Sequence, residues 1–183
     1  MDDLLAIKLL KRGEIEALEA LVLRYEKKAI RTAYFITHDE ALARDVVQDV
    51  FLQIYRAIRR FDETRRFEPY LLQCVVNASL NAVKKSAKQI SLDEDLSEVE
   101  SLLSEAASAE TEIESRQFKA EVLDALSKLH PRQRAAVVQR YYLEMNEKEM
   151  SASLGIPAGT VKWLLSEART KLRNLLGSER RAE

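Results

Sequence analysis

Cysteine, glycine, proline and histidine are all scarce in this 183-residue chain, and each scarcity closes off a class of answers. Cys74 stands alone, so no disulfide can form within the chain and no cysteine-based zinc site can be assembled. It reads as a small buried side chain. Four glycines and three prolines supply no glycine-rich loop to cradle a phosphate, and they leave few breaks in long helices. His38 and His130 lie far apart, and neither has a nucleophile or ligand cluster of recognisable spacing beside it. No catalysis, cofactor or metal is expected, with His38 at a helix start and His130 in a turn. No uninterrupted apolar run approaches membrane-spanning length, and Met1-Asp2-Asp3 is acidic where a secretory leader would be basic. A soluble, cytoplasmic protein with no direct membrane insertion is the expectation.

What the chain does have is helix formers. Ala, Leu, Glu, Lys and Arg abound, and no segment carries a convincing strand pattern, so the fold class is all-α. Net charge is only -1, yet the charges are unevenly placed. Residues 1–90 carry 16 Lys and Arg against 13 Asp and Glu, residues 91–115 carry 0 against 9, and residues 116–183 carry 13 against 8. Two small, mildly basic helical domains joined by a flexible acidic linker are implied, with structure resuming near Arg116.

After a short helix near Leu4 to Leu10, Ile15, Leu18, Val22, Tyr25, Ala29, Ala33 and Ile36 recur at steps of three and four. That spacing predicts a core-facing helix from Glu14 to Ile36. Thr37 and Glu40 form a capping-box pair for a third helix reaching about Arg60. Its apolar stripe is Leu42, Val46, Val50, Ile54 and Ile58. The opposite face carries Arg44, Asp45, Gln48, Asp49, Leu52 and Arg56, which suits either a solvated surface with one stray leucine or a surface that docks on a basic partner. Beyond a polar turn, Pro69 sits in the first turn of a fourth helix. There Leu72, Val75, Val76, Leu80 and Val83 point one way, while Tyr70, Gln73, Asn77, Asn81, Lys84, Lys85 and Lys88 occupy the other. A ring, amides and lysines along one track fit single-stranded nucleic acid. The same track also fits an ordinary solvated face with Phe67 and Tyr70 packed on the core.

In the last third, Val122, Leu123, Leu126 and Leu129 mark a helix that His130-Pro131 interrupts, and Arg132 to Tyr142 forms the next, with Ala135, Val138 and Tyr142 inward. From Asn146 to Leu172 the pattern is that of a helix-turn-helix. Asn146 and Glu149 make a capping box, Gly155 allows the chain to reverse, and Val161, Leu164, Leu165, Ala168, Leu172 and Leu175 form one stripe. Thr160, Lys162, Arg169 and Arg173 are left to reach elsewhere. An ordinary helical hairpin shares this pattern, so DNA reading is one of two meanings.

Three stretches in order, Asp45 to Phe51, Phe67 to Lys85 and Leu129 to Leu176, make the chain resemble the extracytoplasmic-function (ECF) class of bacterial RNA polymerase sigma factors. The resemblance implies that Asp45, Gln48 and Asp49, with Leu52 among them, dock on core RNA polymerase. It implies that Phe67, Tyr70, Asn77, Asn81, Lys84, Lys85 and Lys88 melt and hold the minus-ten promoter element. Thr160, Lys162, Trp163, Arg169 and Arg173 would read the minus-thirty-five element as duplex. An anti-sigma factor is a further implied partner. Trp163, Leu164 and Glu167 stand where the family often has serine and arginine; an exposed tryptophan there can meet a thymine methyl or a protein, and a carboxylate repels phosphate. A stand-alone helix-turn-helix regulator and a sigma-derived interaction protein are the competing functions.

Overall fold

The structure, a computed structural model, describes residues 1–86 and 109–179 and contains eight α-helices and no strand among them. The chain divides into two compact units, Met1–Leu92 and Asp93–Glu183. Among the described residues no helix is long and apolar enough to cross a membrane.

The first unit is built from α1 (Asp3–Lys11), α2 (Ala17–Thr37), α3 (Glu40–Ala57) and α4 (Phe67–Ser86). Asp2 caps α1 by accepting the Leu5 N–H at 2.8 Å. Gly13 then takes a left-handed φ of 94°, and the chain needs until Ala17 to start α2. This delay corrects the expected start at Glu14 and leaves Ile15 out of the core stripe, 51% exposed. At the far end, His38 adopts φ 57° and closes α2 through its N–H to the Tyr34 carbonyl. His38 therefore ends a helix instead of starting one. Asp39, not Thr37, opens α3, its carboxylate accepting the Leu42 N–H at 2.7 Å, because Thr37 still belongs to the last turn of α2.

Helices α2, α3 and α4 pack mutually, and α1 lies against α2. The shared core holds Leu21, Ala29 and Ile36 of α2, Val46, Val50 and Ile54 of α3, and Leu71, Val75 and Val76 of α4. A 3-10 turn, Ile58–Arg60, ends α3 and delivers Phe61 to an aromatic cluster with Tyr25, Phe67 and Tyr70.

The second unit contains α5 (Ala109–Ser127), α6 (Pro131–Val137), α7 (Glu147–Leu154) and α8 (Ala158–Glu179). Helix α5 starts at Ala109, ahead of Arg116 where structure was expected to resume; the rest of the acidic segment, 91–108, lies outside the described residues. His130 caps α6 in a capping box with Gln133, and Pro131 occupies the first turn, where its missing N–H has no partner to lose. A π turn, Val138–Tyr142, follows. Its wider turn shifts the register, so Gln139 enters the core and Tyr142, expected inward, is only half-buried.

Helix α8 is the spine of this unit. Leu126, Leu129 and Ala168 gather Val122, Val137 and Leu172 on one part of it. Val161, Leu164 and Leu165 gather Ala136 and Met150 on the other, with Met145 and Ile156 at the edge.

Candidate functional site

Three surfaces carry the polar residues singled out above. The first is the outer face of α3, where Arg44, Asp45, Gln48, Asp49, Leu52 and Arg56 are all exposed. A 3.6-residue repeat puts them on one side because the opposite side is occupied by Val46, Val50 and Ile54. Arg44 is held by Glu40 one turn back, with Nη2 to Oε1 at 2.7 Å. Asp45 and Asp49 make no ion pair among the described residues and lie two turns and one turn before Leu52, which is 40% exposed, on the same strip. Two free carboxylates beside an apolar side chain form a surface matched to a basic partner.

The second surface is the outer face of α4. Asn81, Lys84 and Lys85 are exposed, and Gln73 and Asn77 are partly so. Tyr70 is half-buried, its ring centroid 4.9 Å from that of Phe61. Burial raises the Tyr70 hydroxyl pKa, and the adjacent Cys74 thiol adds to the effect. Cys74, expected to be buried, is also only half-buried, and desolvation pushes its pKa up. Both groups are therefore neutral near pH 7, and positive charge on this face comes from the lysines. Phe67 does not belong to the surface. It is 2% exposed and wedged between Tyr25 and Phe61, at centroid distances of 5.8 and 5.9 Å, so no base can stack on it in this conformation. Lys88 lies outside the described residues. Arg65 and Arg66, exposed in the turn just before α4, extend the basic border and were not picked out by helical periodicity, which does not apply to a turn.

The third surface is the helix-turn-helix. Asn146 accepts the N–H groups of Lys148 and Glu149 at 3.0 Å each, and Glu149 returns by accepting the Asn146 N–H at 2.8 Å. Gly155, at φ 63°, reverses the chain, and the Ser151 hydroxyl donates to the Ile156 carbonyl at 2.6 Å, fastening the turn. Pro157 precedes α8 and its carbonyl accepts from Thr160 and Val161. Beneath the turn, the fully buried Gln139 donates Nε2 to Ser153 Oγ at 2.6 Å, while its Oε1 has no partner. Sequence periodicity gave no sign of this pair, since both residues are polar.

The sequence grouped Thr160, Lys162, Trp163, Arg169 and Arg173, but a straight α-helix cannot bring them to one face. Successive residues turn by about 100°, so Lys162, Arg169 and Arg173, at steps of seven and four, share one flank. Thr160, Trp163 and Glu167 share another, roughly a third of a turn away. The buried stripe Val161, Leu164, Leu165 and Ala168 takes the remaining third. Trp163 is 58% exposed. Lys162 meets Glu147 of α7, Nζ to Oε2, at 3.5 Å. Arg169 lies along its own helix, donating Nε to the Leu165 carbonyl at 3.2 Å. Arg173 is exposed and sits roughly 22 Å from the start of α8 at 1.5 Å per residue, beyond the first turns that enter a major groove.

The Sigma-70 region 2 model matches residues 21–89, and the Sigma-70, region 4 model matches residues 119–172. Each unit therefore carries one module of a sigma-70 type transcription factor. ECF RNA polymerase sigma factor SigW of Bacillus subtilis is 26% identical over 176 residues, covering 93% of this chain and 94% of the relative. RNA polymerase sigma factor CarQ of Myxococcus xanthus is 30% identical over 165 residues, covering 90% and 92%. Among solved structures, CnrH in complex with the cytosolic domain of CnrY is similar in fold, with a TM-score of 0.66 at 23% identity over 96% of this chain and 97% of that one. The sigma factor RpoE in complex with the anti-sigma factor NepR from Bartonella quintana gives 0.67 at 17% identity, covering 87% and 96%. The chain belongs to the ECF class of RNA polymerase sigma factors. It acts in transcription initiation and is not itself an enzyme.

Proposed function

We propose that residues 1–90 form the unit that binds core RNA polymerase and the minus-ten element, and that residues 116–183 bind the minus-thirty-five element. The outer face of α3 is the polymerase contact: Asp45 and Asp49 supply unpaired negative charge, Gln48 a hydrogen-bonding amide and Leu52 an apolar centre. Tyr70, Asn77, Asn81, Lys84, Lys85 and Lys88 meet the melted minus-ten strand, with Phe67 as the core support behind Tyr70. Thr160, Lys162, Trp163, Arg169 and Arg173 meet duplex DNA, the cations on phosphates and the other flank toward base edges. The acidic segment 91–115, with nine carboxylates and no cation, runs through polymerase channels where negative charge imitates nucleic acid.

With a net charge of -1 and short basic patches, the protein alone holds DNA weakly, so core binding comes first. An anti-sigma partner is a further expectation, because CnrH and RpoE were each solved with a partner protein, the latter with its anti-sigma factor. It works in the cytoplasm, where its polymerase is.

The observation that carries this reading is the exposed α3 strip with its two unpaired carboxylates, which no feature of the first unit's own packing requires. Run-off transcription with purified core polymerase on a pool of genomic fragments tests it. The wild-type chain directs specific starts. Asp49→Lys abolishes core binding while helical content and unfolding midpoint stay as they were; retained binding by that variant refutes the docking assignment.

A further inference from the structure

Helix α8 presents two solvent flanks of opposite chemistry. On one stand the cations Lys162, Arg169 and Arg173; on the other stand Trp163 and Glu167, one turn apart. A carboxylate facing a polyanion is repelled by it, so Glu167 weakens binding to phosphate unless it finds a hydrogen-bond donor. Glu167 is exposed and makes no ion pair among the described residues. Neither Trp163 nor Glu167 contributes to the core of the second unit, whose stripe is complete without them. Folding therefore does not explain either side chain.

Major-groove chemistry does. The exocyclic amine of cytosine is a donor with which a carboxylate pairs, and the thymine methyl is the apolar group that a large exposed ring covers. Trp163 and Glu167 lie roughly 7 and 13 Å along α8 at 1.5 Å per residue, inside the first turns that a helix-turn-helix inserts. Their separation of about 6 Å spans about two steps of stacked bases at 3.4 Å each. The cationic flank, a third of a turn away, takes the sugar-phosphate wall once Lys162 exchanges Glu147 for phosphate, while this flank meets base edges.

We propose that Trp163 and Glu167 are specificity-determining residues of this chain, selecting a thymine and a cytosine within about two base pairs of each other in the upstream duplex element. The inference rests on the assignment of the second unit to that element. Glu167 discriminates by pairing with the cytosine amine and by repelling the acceptors of its competitors: guanine O6 and N7, thymine O4, and the N7 that stands beside adenine's own N6 amine. Trp163 discriminates by covering the methyl group.

The test is transcription by core polymerase loaded with the full chain, on a promoter recovered from the genomic pool and randomised upstream. With wild-type protein, one position enriches cytosine by about tenfold over guanine and thymine, with adenine, the other amine donor, between them, and a neighbouring position enriches thymine by about tenfold. Glu167→Ala removes the cytosine preference alone and raises output on the other templates. Trp163→Ala removes the thymine preference alone. Both variants keep the wild-type unfolding midpoint, since both side chains are exposed. Uniform loss of output with unchanged base preference overturns the inference. So does wild-type initiation that is indifferent to every upstream base. Failure of the wild-type protein to initiate on any template instead sinks the functional reading itself, and this inference with it.

Discussion

Removing the hydroxyl of Ser153 should destabilise the second unit by more than the size of the change suggests. Ser153→Ala deletes one oxygen, but that oxygen is the acceptor for Gln139 Nε2 at 2.6 Å, and the Gln139 side chain is wholly buried with Oε1 already unpartnered. After the substitution neither end of the amide has a partner. A buried polar group stripped of its hydrogen bond costs roughly 1–3 kcal/mol, so a loss of about 2 kcal/mol is expected. Gln139→Leu removes the amide itself. In the double variant no polar atom is left stranded, so its stability should return to within about 1 kcal/mol of wild type, giving a coupling energy of roughly 1–2 kcal/mol. Urea unfolding measures this directly. Trp163 is the chain's single tryptophan, so its fluorescence anisotropy follows the second unit and not the first. Strictly additive single and double variants would show that the pair is not energetically linked and that the buried Gln139 amide gains nothing from Ser153.

Phe67→Ala should cost about 3–5 kcal/mol in the first unit, because the ring is the centre of the aromatic cluster; a change below 1 kcal/mol in chemical unfolding would contradict its placement in the core. Lys162→Ala should lower the slope of log affinity against log salt by about one for promoter duplex, with holoenzyme binding as the readout, and an unchanged slope would mean that Lys162 stays with Glu147. Burial, reinforced by hydrogen bonding to Asp3, pushes the Tyr25 pKa up to about 12. The folded state therefore holds this proton more tightly than the unfolded one. Its contribution is full below pH 10 and declines as pH rises from 10 to 12, and Tyr25→Phe should remove that part of the decline from a stability-pH profile.

Long amphipathic helices were the most legible part of the chain. The α3 strip and the helix-turn-helix could be read directly, since a 3.6-residue repeat and a capping box are both local signals that the surrounding packing only reinforces. Boundaries were less legible. Whether Thr37 or Asp39 caps α3 depends on where α2 stops, and that is decided by the left-handed turn at His38, a conformation that residue type only weakly favours. Periodicity also assumes one register throughout a helix. The π turn after Val137 breaks the assumption, so Gln139 reaches the core without an apolar signal and Tyr142 is less buried than a single register predicts. Phe67 shows a different limit. It opens α4 on the boundary between two faces, and only the approach of Phe61 and Tyr25 from elsewhere in the chain makes it core.

The tripartite division of α8 has a consequence for how such a protein can change. Because the stripe that holds the helix in place and the flanks that meet a partner do not share residues, substitutions at Trp163 or Glu167 can accumulate without loss of fold. Insertions have no such freedom. One extra residue between Gly155 and Ala158, if the core were to stay packed, would have to be absorbed in the turn; if it were passed on, α8 would rotate by about 100° and present cations where the aromatic ring had been. The turn thus works as a phasing element. Lineages descending from this chain are free to drift in which bases they prefer, but any change in the length of the connection must be taken up within the turn itself for the two flanks to keep their places.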